Sequence, residues 1–309
     1  MRAVSLDRFG GPEVLQFGEV PAPRPISTEV LVRVHAAGIN PVDLRQRQGH
    51  GPLSRLPMIL GWDVAGVVQE CGFGVTIFSP GDEVYGMPWF PRQAGAYAEY
   101  VTAPSRHFAP KPPSLSFPEA ATLPLSGLTA WQLLVDTAHL KAGDRVLIHG
   151  AAGGVGRLAV QIATSLGAHV IGVARADHHD ELRALGAAEL VDYTTTRFED
   201  VVGPVNVVLD LVGRDYTPRS LPLVTPGGTV VLVPSGVDDA VARLGADKGV
   251  RVTNFLVEPD HAGLLALSRL VAEGRLESKV GATVPLEDAS RAHQLAESRT
   301  VGGKVVLSV

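Results

Sequence analysis

The densest chemical signal in the chain lies at residues 146–168, VLIHGAAGGVGRLAVQIATSLGA. A short apolar run is followed by a turn of small residues, and then by Leu158, Ala159, Ile162, Ala163 and Leu166 at helical spacing. Ala151, Gly153 and Gly156 fall on the three positions of the dinucleotide fingerprint, with Ala151 replacing its first glycine, and Gly154 and Val155 complete the turn. Residues without bulk let the backbone approach a pyrophosphate, and the N-terminus of the following helix supplies free N–H groups and a partial positive charge. Glycines alone would also suit a purely structural turn. Their place between a strand and a helix favours a cofactor loop.

The point about 20 residues beyond the fingerprint separates the two nicotinamide cofactors, because an NAD site places Asp or Glu there to bond the ribose 2′-hydroxyl. Here that stretch reads Val173, Ala174, Arg175, with no acid before Asp177. A guanidinium can donate several hydrogen bonds to a 2′-phosphate that a carboxylate would repel, so the pattern points to NADPH over NADH. Tyr193, just past a third short strand, is a second candidate contact. The competing readings are a solvated charge for Arg175 and a packed edge aromatic for Tyr193. Val212 and Gly213, Pro234 and Ser235, and Phe255, Leu256 and Val257 follow later strands. Open α/β sheets bind ligands at such carboxyl ends, which makes these loops candidate cofactor neighbours.

The elements that must hold these loops are visible in the texture of the chain. Over the first ~120 residues, β-rich pieces at 3–7, 29–35, 64–70, 83–85 and 97–102 are punctuated by Gly and Pro, as in a small antiparallel barrel or sandwich. Beyond Pro118, helix-period stretches alternate with apolar runs at 145–149, 170–174, 189–192, 205–211, 229–233 and 250–253. Strands alternating with helices form a parallel sheet covered on both faces, a doubly wound Rossmann arrangement of six strands. A helix at 261–272 closes that series at Gly274; a strand at 279–285, a helix at 287–297 and a strand at 304–309 return to the first domain. The fold class is therefore α/β, with a discontinuous β-rich domain (1–120 and 278–309) around a nucleotide domain (121–277).

Composition narrows the function classes. A chain of 309 residues with 45% apolar residues and 19% charged ones has ample core, which excludes a disordered protein. The single cysteine, Cys71, excludes an intrachain disulfide and any multi-cysteine metal cluster, and the ten histidines are dispersed. His178 and His179 are adjacent on a predicted helix, where successive side chains diverge, so they make poor joint ligands. No apolar run approaches the ~18 residues of a membrane span, and Arg2, Asp7, Arg8 and Glu13 interrupt any signal-peptide core, so a cytoplasmic location is expected. A formal charge of −5 and the absence of a basic run make nucleic acid an unfavourable partner.

Further segments carry a family likeness: AAGINPVDLRQRQG at 36–49, PLSGLTAWQLL at 124–134, LGAAELVDY at 185–193, GGKVVL at 302–307, and Gly61, Gly66, Gly72 and Val75 at fixed spacing. With these the chain resembles, over essentially its whole length, the medium-chain dehydrogenase/reductase superfamily and its zinc-free quinone oxidoreductase (zeta-crystallin-like) branch. The superfamily signature is G-H-E-x-x-G, five residues, Gly, two residues and Val; here Trp62 and Asp63 replace the zinc-ligating His and the Glu. Asn40 stands where zinc alcohol dehydrogenases carry a ligand cysteine.

The resemblance implies a GroES-like domain, a Rossmann domain, a cleft between them, and a homodimer. It places Asn40 at the nicotinamide end as a candidate hydrogen-bond donor, with Pro41, Val42 and Asp43 beside the cofactor, Trp62 as an aromatic wall for a planar substrate, and Thr129 lining the nicotinamide side. From the residues alone, Asn40 also fits a turn before Pro41, Trp62 a core tryptophan, Asp63 a turn partner and Thr129 a helix N-terminal hydroxyl. Arg45 occupies a position where many quinone reductases have Tyr, which puts a conventional quinone pocket in question and would suit an anionic substrate. The implied activity is NADPH-dependent, metal-free hydride transfer to quinones or α,β-unsaturated carbonyls. The alternatives are an enoyl or alkenal reductase for one metabolite, and a non-catalytic NADPH-binding or RNA-binding protein.

Overall fold

The computed structural model describes residues 1–233 and 237–309, so Pro234 and Ser235 lie outside the described residues. The chain divides into two compact units, Met1–Leu128 with Glu258–Val309, and Thr129–Val257. These boundaries differ from those drawn on the sequence at 120/121 and 277/278. The helix His261–Ala272 belongs with the first unit because it is bonded there: the Tyr85 hydroxyl donates to Leu264 O at 2.6 Å, and the His261 ring meets Phe108 O at 2.6 Å.

The first unit is built on a seven-stranded sheet whose centre is the strand Glu29–Gly38. That strand is antiparallel to Asp63–Cys71 and Tyr100–Pro104, and near its end to the last strand, Lys304–Ser308. Val30, Val32 and Val34 alternate into the core, where they meet Val64, Val68, Val84, Phe108, Val305 and Leu307. β-branched side chains at period two suit such a half-buried pleat. The register sets Gly38 opposite both Asp63 and Val306. Residues from three distant parts of the sequence therefore arrive at one place.

The second unit is a six-stranded parallel sheet ordered Glu189–Val191, His169–Val173, Arg145–His149, Val205–Asp210, Val224–Leu232, Arg251–Asn254. Each apolar run read from the sequence became one of these strands. Chain order reverses between Arg145–His149 and Val205–Asp210, and ligands of open α/β sheets gather outside the strand ends at such a reversal. The helix Gly154–Ser165 is buried from Gly156 to Ala163, with Leu158, Ala159, Ile162 and Ala163 gathered on one face. Its amphipathic spacing positions the loop before it.

Candidate functional site

The glycine loop of the second unit starts one residue earlier than the sequence indicates. Gly150, with φ +72°, makes the turn as the chain leaves the strand at His149. The Gly153 N–H donates to Gly150 O at 3.0 Å and closes the loop, and the helix begins at Gly154. A Cβ on Gly156 would lie 2.3 Å from Gly150 O and 2.7 Å from Ala151 O, so only glycine lets the helix start against this turn. Gly153 faces the other way: it is exposed, and a Cβ there would meet only Gly150 O at 3.3 Å. The first N–H groups of the helix, on Gly154, Val155 and Gly156, have no intrahelical acceptor. Small residues, open space and unpaired donors fit the pyrophosphate of a dinucleotide.

Two groups at the strand ends support the neighbouring loop, and sequence reading missed both. Asp210 ends its strand opposite His149 and is fully buried. Its Oδ1 accepts the N–H groups of Val212 (3.0 Å) and Gly213 (2.7 Å), and its Oδ2 accepts the Thr217 hydroxyl at 2.6 Å. The carboxylate thus shapes the turn that carries Val212 to the surface. The buried His149 ring lies against Phe198 and Tyr216. Ser220 Oγ donates to Tyr216 O, so it accepts from His149 Nε2–H at 2.8 Å; Nδ1 is left as a buried lone pair with no partner. Burial lowers this imidazole to about 4, keeping it neutral, while Asp210 pulls weakly the other way. A strand-terminal His or Asp carries no local signal of such a role.

Arg175 caps the second strand and is exposed, and Asp177 holds its guanidinium. Tyr193 is half exposed. Past the sixth strand, Phe255 N–H donates to Leu232 O at 3.0 Å, Leu256 is 61% exposed, and Val257 is buried. Thr129 is buried.

The first unit gathers Asn40, Asp63 and Lys304 into a buried cluster. Asn40 Nδ2 donates to Asp63 Oδ2 at 2.8 Å, while Lys304 Nζ donates to Asn40 Oδ1 at 2.8 Å and to Asp63 Oδ2 at 2.6 Å. Leu125 N–H donates to Asp63 Oδ1 at 2.7 Å. Lys304 can only donate and Asp63, as a carboxylate, can only accept, so they fix which end of the Asn40 amide is which. Asn40 is 1% exposed. The donor expected to face a substrate is turned inward, and sequence reading missed Lys304.

Close by, Asp43 accepts the N–H groups of Asn40 (2.7 Å) and Gly61 (3.1 Å) as the first turn of the helix Pro41–Arg47 forms. Burial raises its carboxyl to about 7 against the pull of those two donors. Pro41 and Arg45 are exposed and Val42 is half-buried. Trp62 is 1% exposed, its Nε1–H donates to Arg92 O at 2.6 Å, and its ring meets Phe90 edge-on. Of the two roles open to Trp62, this is the core tryptophan.

Comparison with known proteins covers both units. Residues 27–113 match the family described as alcohol dehydrogenase GroES-like domain, and residues 185–307 match the zinc-binding dehydrogenase family. A quinone oxidoreductase of Sus scrofa is 33% identical over 99% of this chain and 97% of its own length. The structure of a quinone oxidoreductase from Coxiella burnetii superposes with a TM-score of 0.92 at 38% identity, covering 100% of this chain and 99% of the other. That of an Escherichia coli quinone oxidoreductase complexed with NADPH gives 0.88 at 32% identity, with 100% of both chains covered.

Proposed function

The chain belongs to the medium-chain dehydrogenase/reductase superfamily, in its quinone oxidoreductase branch, and from that premise we propose that it reduces quinones or α,β-unsaturated carbonyl compounds with NADPH and without a metal. The observation that carries this reading is the loop from Gly150 to Gly156: its open side at Gly153 and its unpaired helix N–H groups suit a pyrophosphate. The full-length likeness to an Escherichia coli quinone oxidoreductase complexed with NADPH supports the choice of cofactor.

Gly153, Gly154, Val155 and Gly156 hold the pyrophosphate in this reading, and Arg175 takes the 2′-phosphate with Tyr193 beside it. Val212 and Gly213, fixed by Asp210, and the exposed Leu256 are further neighbours of the cofactor. NADPH, when bound, supplies a hydride. The protein's own part is to orient the acceptor, exclude competing reactions and leave the developing enolate or phenolate open to a proton from solvent. Such substrates are already electron-poor and need no Lewis acid to accept a hydride. Asn40 acts from behind the surface, as the fixed centre of the Asp63–Lys304 cluster.

The residues do not fit the zinc ion that one matching family is named for. Asp63 is filled by an ammonium and two N–H groups, and Trp62 donates its only polar hydrogen to backbone. The Cys71 thiol donates to Phe78 O. Among the described residues no group of three or more His, Cys, Asp or Glu is placed to hold a metal.

The test is NADPH oxidation by purified protein against an ortho-quinone, a para-quinone, a linear alkenal and a cyclic enone, with and without chelator, alongside elemental analysis. Saturable, chelator-insensitive turnover of at least one member is expected. Stoichiometric zinc with chelator-sensitive turnover would overturn the metal-free mechanism, and tight NADPH binding without turnover of any member would overturn the substrate class.

A further inference from the structure

Arg175, the proposed reader of the 2′-phosphate, has its guanidinium already engaged. Its Nη2 and Nε donate to Asp177 Oδ2 and Oδ1 at 2.5 and 3.4 Å, and more than half of each side chain is exposed, 56% and 54%. A carboxylate and a phosphate offer a guanidinium the same pair of oxygens, so they compete for one planar fork. A second carboxylate stands nearby: Asp192 accepts the Thr194 N–H and hydroxyl and, at 3.3 Å, the N–H of Ala176, which lies between Arg175 and Asp177. The Arg175 guanidinium thus stands among two carboxylates, with the His178 ring 3.7 Å from Asp177. A phosphate bringing about −1.5 to −2 charges therefore meets the carboxylates of Asp177 and Asp192 beside the one guanidinium.

We propose that Asp177 determines the cofactor specificity of this protein: its carboxylate occupies the Arg175 fork that a 2′-phosphate must take, and so narrows the preference for NADPH over NADH. The inference rests on Arg175 being the reader of the 2′-phosphate. A phosphorylated ribose must displace Asp177, which the exposure of both side chains permits, and then sits beside the freed carboxylate. An unphosphorylated ribose leaves the pair intact and can offer its 2′-hydroxyl to a carboxylate oxygen. Arg175 alone predicts strong discrimination; Arg175 held by Asp177 predicts a protein that uses both cofactors.

The probes are 2′,5′-ADP and 5′-AMP, which differ only in the 2′-phosphate, titrated calorimetrically at low salt into the full chain. The proteins are wild type, Asp177→Asn, Arg175→Gln and the double variant. Asp177→Asn is expected to tighten 2′,5′-ADP by about two- to fivefold and to change 5′-AMP by less than about 1.5-fold, the range for removing one exposed competing charge. With Arg175→Gln already present, the same substitution is expected to recover less than half of that gain on a logarithmic scale. Unchanged or weaker 2′,5′-ADP binding by Asp177→Asn would overturn the proposal. A separate outcome identifies failure of the underlying reading: Arg175→Gln weakening both probes equally, or neither, would remove Arg175 from the phosphate site.

Discussion

Replacing Lys304 with methionine tests the buried cluster of the first unit. Lys304→Met keeps most of the side-chain length and removes the ammonium. Asp63, whose side chain is 0% exposed, then keeps two donors, Asn40 Nδ2–H and Leu125 N–H, and Asn40 Oδ1 loses the Lys304 ammonium. Removing one member of a buried ion pair costs about 3–5 kcal/mol; because Asp63 keeps those two donors, the lower end, ~3 kcal/mol, is expected. For a unit of this size that corresponds to a fall of roughly 6–12 °C in its melting transition. Differential scanning calorimetry of the full chain reads the shift, provided the transitions of the two units are resolved rather than fitted as one. Asp63→Asn combined with Lys304→Met removes both charges and keeps an acceptor for Leu125 N–H. The double variant should recover at least ~1.5 kcal/mol relative to the sum of the single effects. A Lys304→Met protein within ~1 kcal/mol of wild type, or strictly additive effects, would refute the claim that this ammonium neutralises Asp63 and orients Asn40.

Two further outcomes follow from particular distances and burials. Gly156→Ala drives a methyl to 2.3 Å from Gly150 O, so the helix start must shift; we expect at least about a tenfold loss of NADPH affinity by fluorescence titration and ~1–3 kcal/mol of destabilisation. Affinity within threefold of wild type would show that the loop tolerates the shift. Burial lowers His149 to about 4 and His293 to about 3, so the unfolded chain binds more protons than the folded one as pH falls below about 6.5. Each ring then removes up to ~1.4 kcal/mol of stability per pH unit on acidification. Asp43, raised to about 7, works in the opposite direction: its contribution is greatest at low pH and is lost as pH rises toward 7. Denaturant titrations between pH 4.5 and 6 should therefore show a net uptake of protons on unfolding, larger by about one in Asp43→Asn. A flat profile in both proteins would contradict these burials.

Much of the architecture was legible because its causes are local. Alternating Val residues mark strands through side chains that point to opposite faces, and Leu158, Ala159, Ile162 and Ala163 mark a helix by recurring once per turn. The glycine at 156 announces a close approach of backbone, since no other residue permits it, while the one at 153 leaves the outer side of the turn open. Even so, the turn fell on Gly150 where the fingerprint placed it on Ala151, because the choice of αL residue depends on how the strand leaves the sheet. Arg175 is a candidate by type and position alone, but its engagement by Asp177 depends on where two side chains point.

The sequence by itself determined which segments become strands and helices and that one loop suits a pyrophosphate, through periodicity and turn chemistry that act over a few residues. Only the tertiary structure brought Lys304 to Asn40 and Asp63, and set His149 beside Asp210 at the reversal of strand order. It also turned Trp62 inward rather than toward a ligand. Those outcomes are settled by strand register and by packing between residues far apart in the chain. No local pattern encodes them: a shift of one residue in strand pairing would send Asp63, Lys304, His149 or Asp210 to the opposite face.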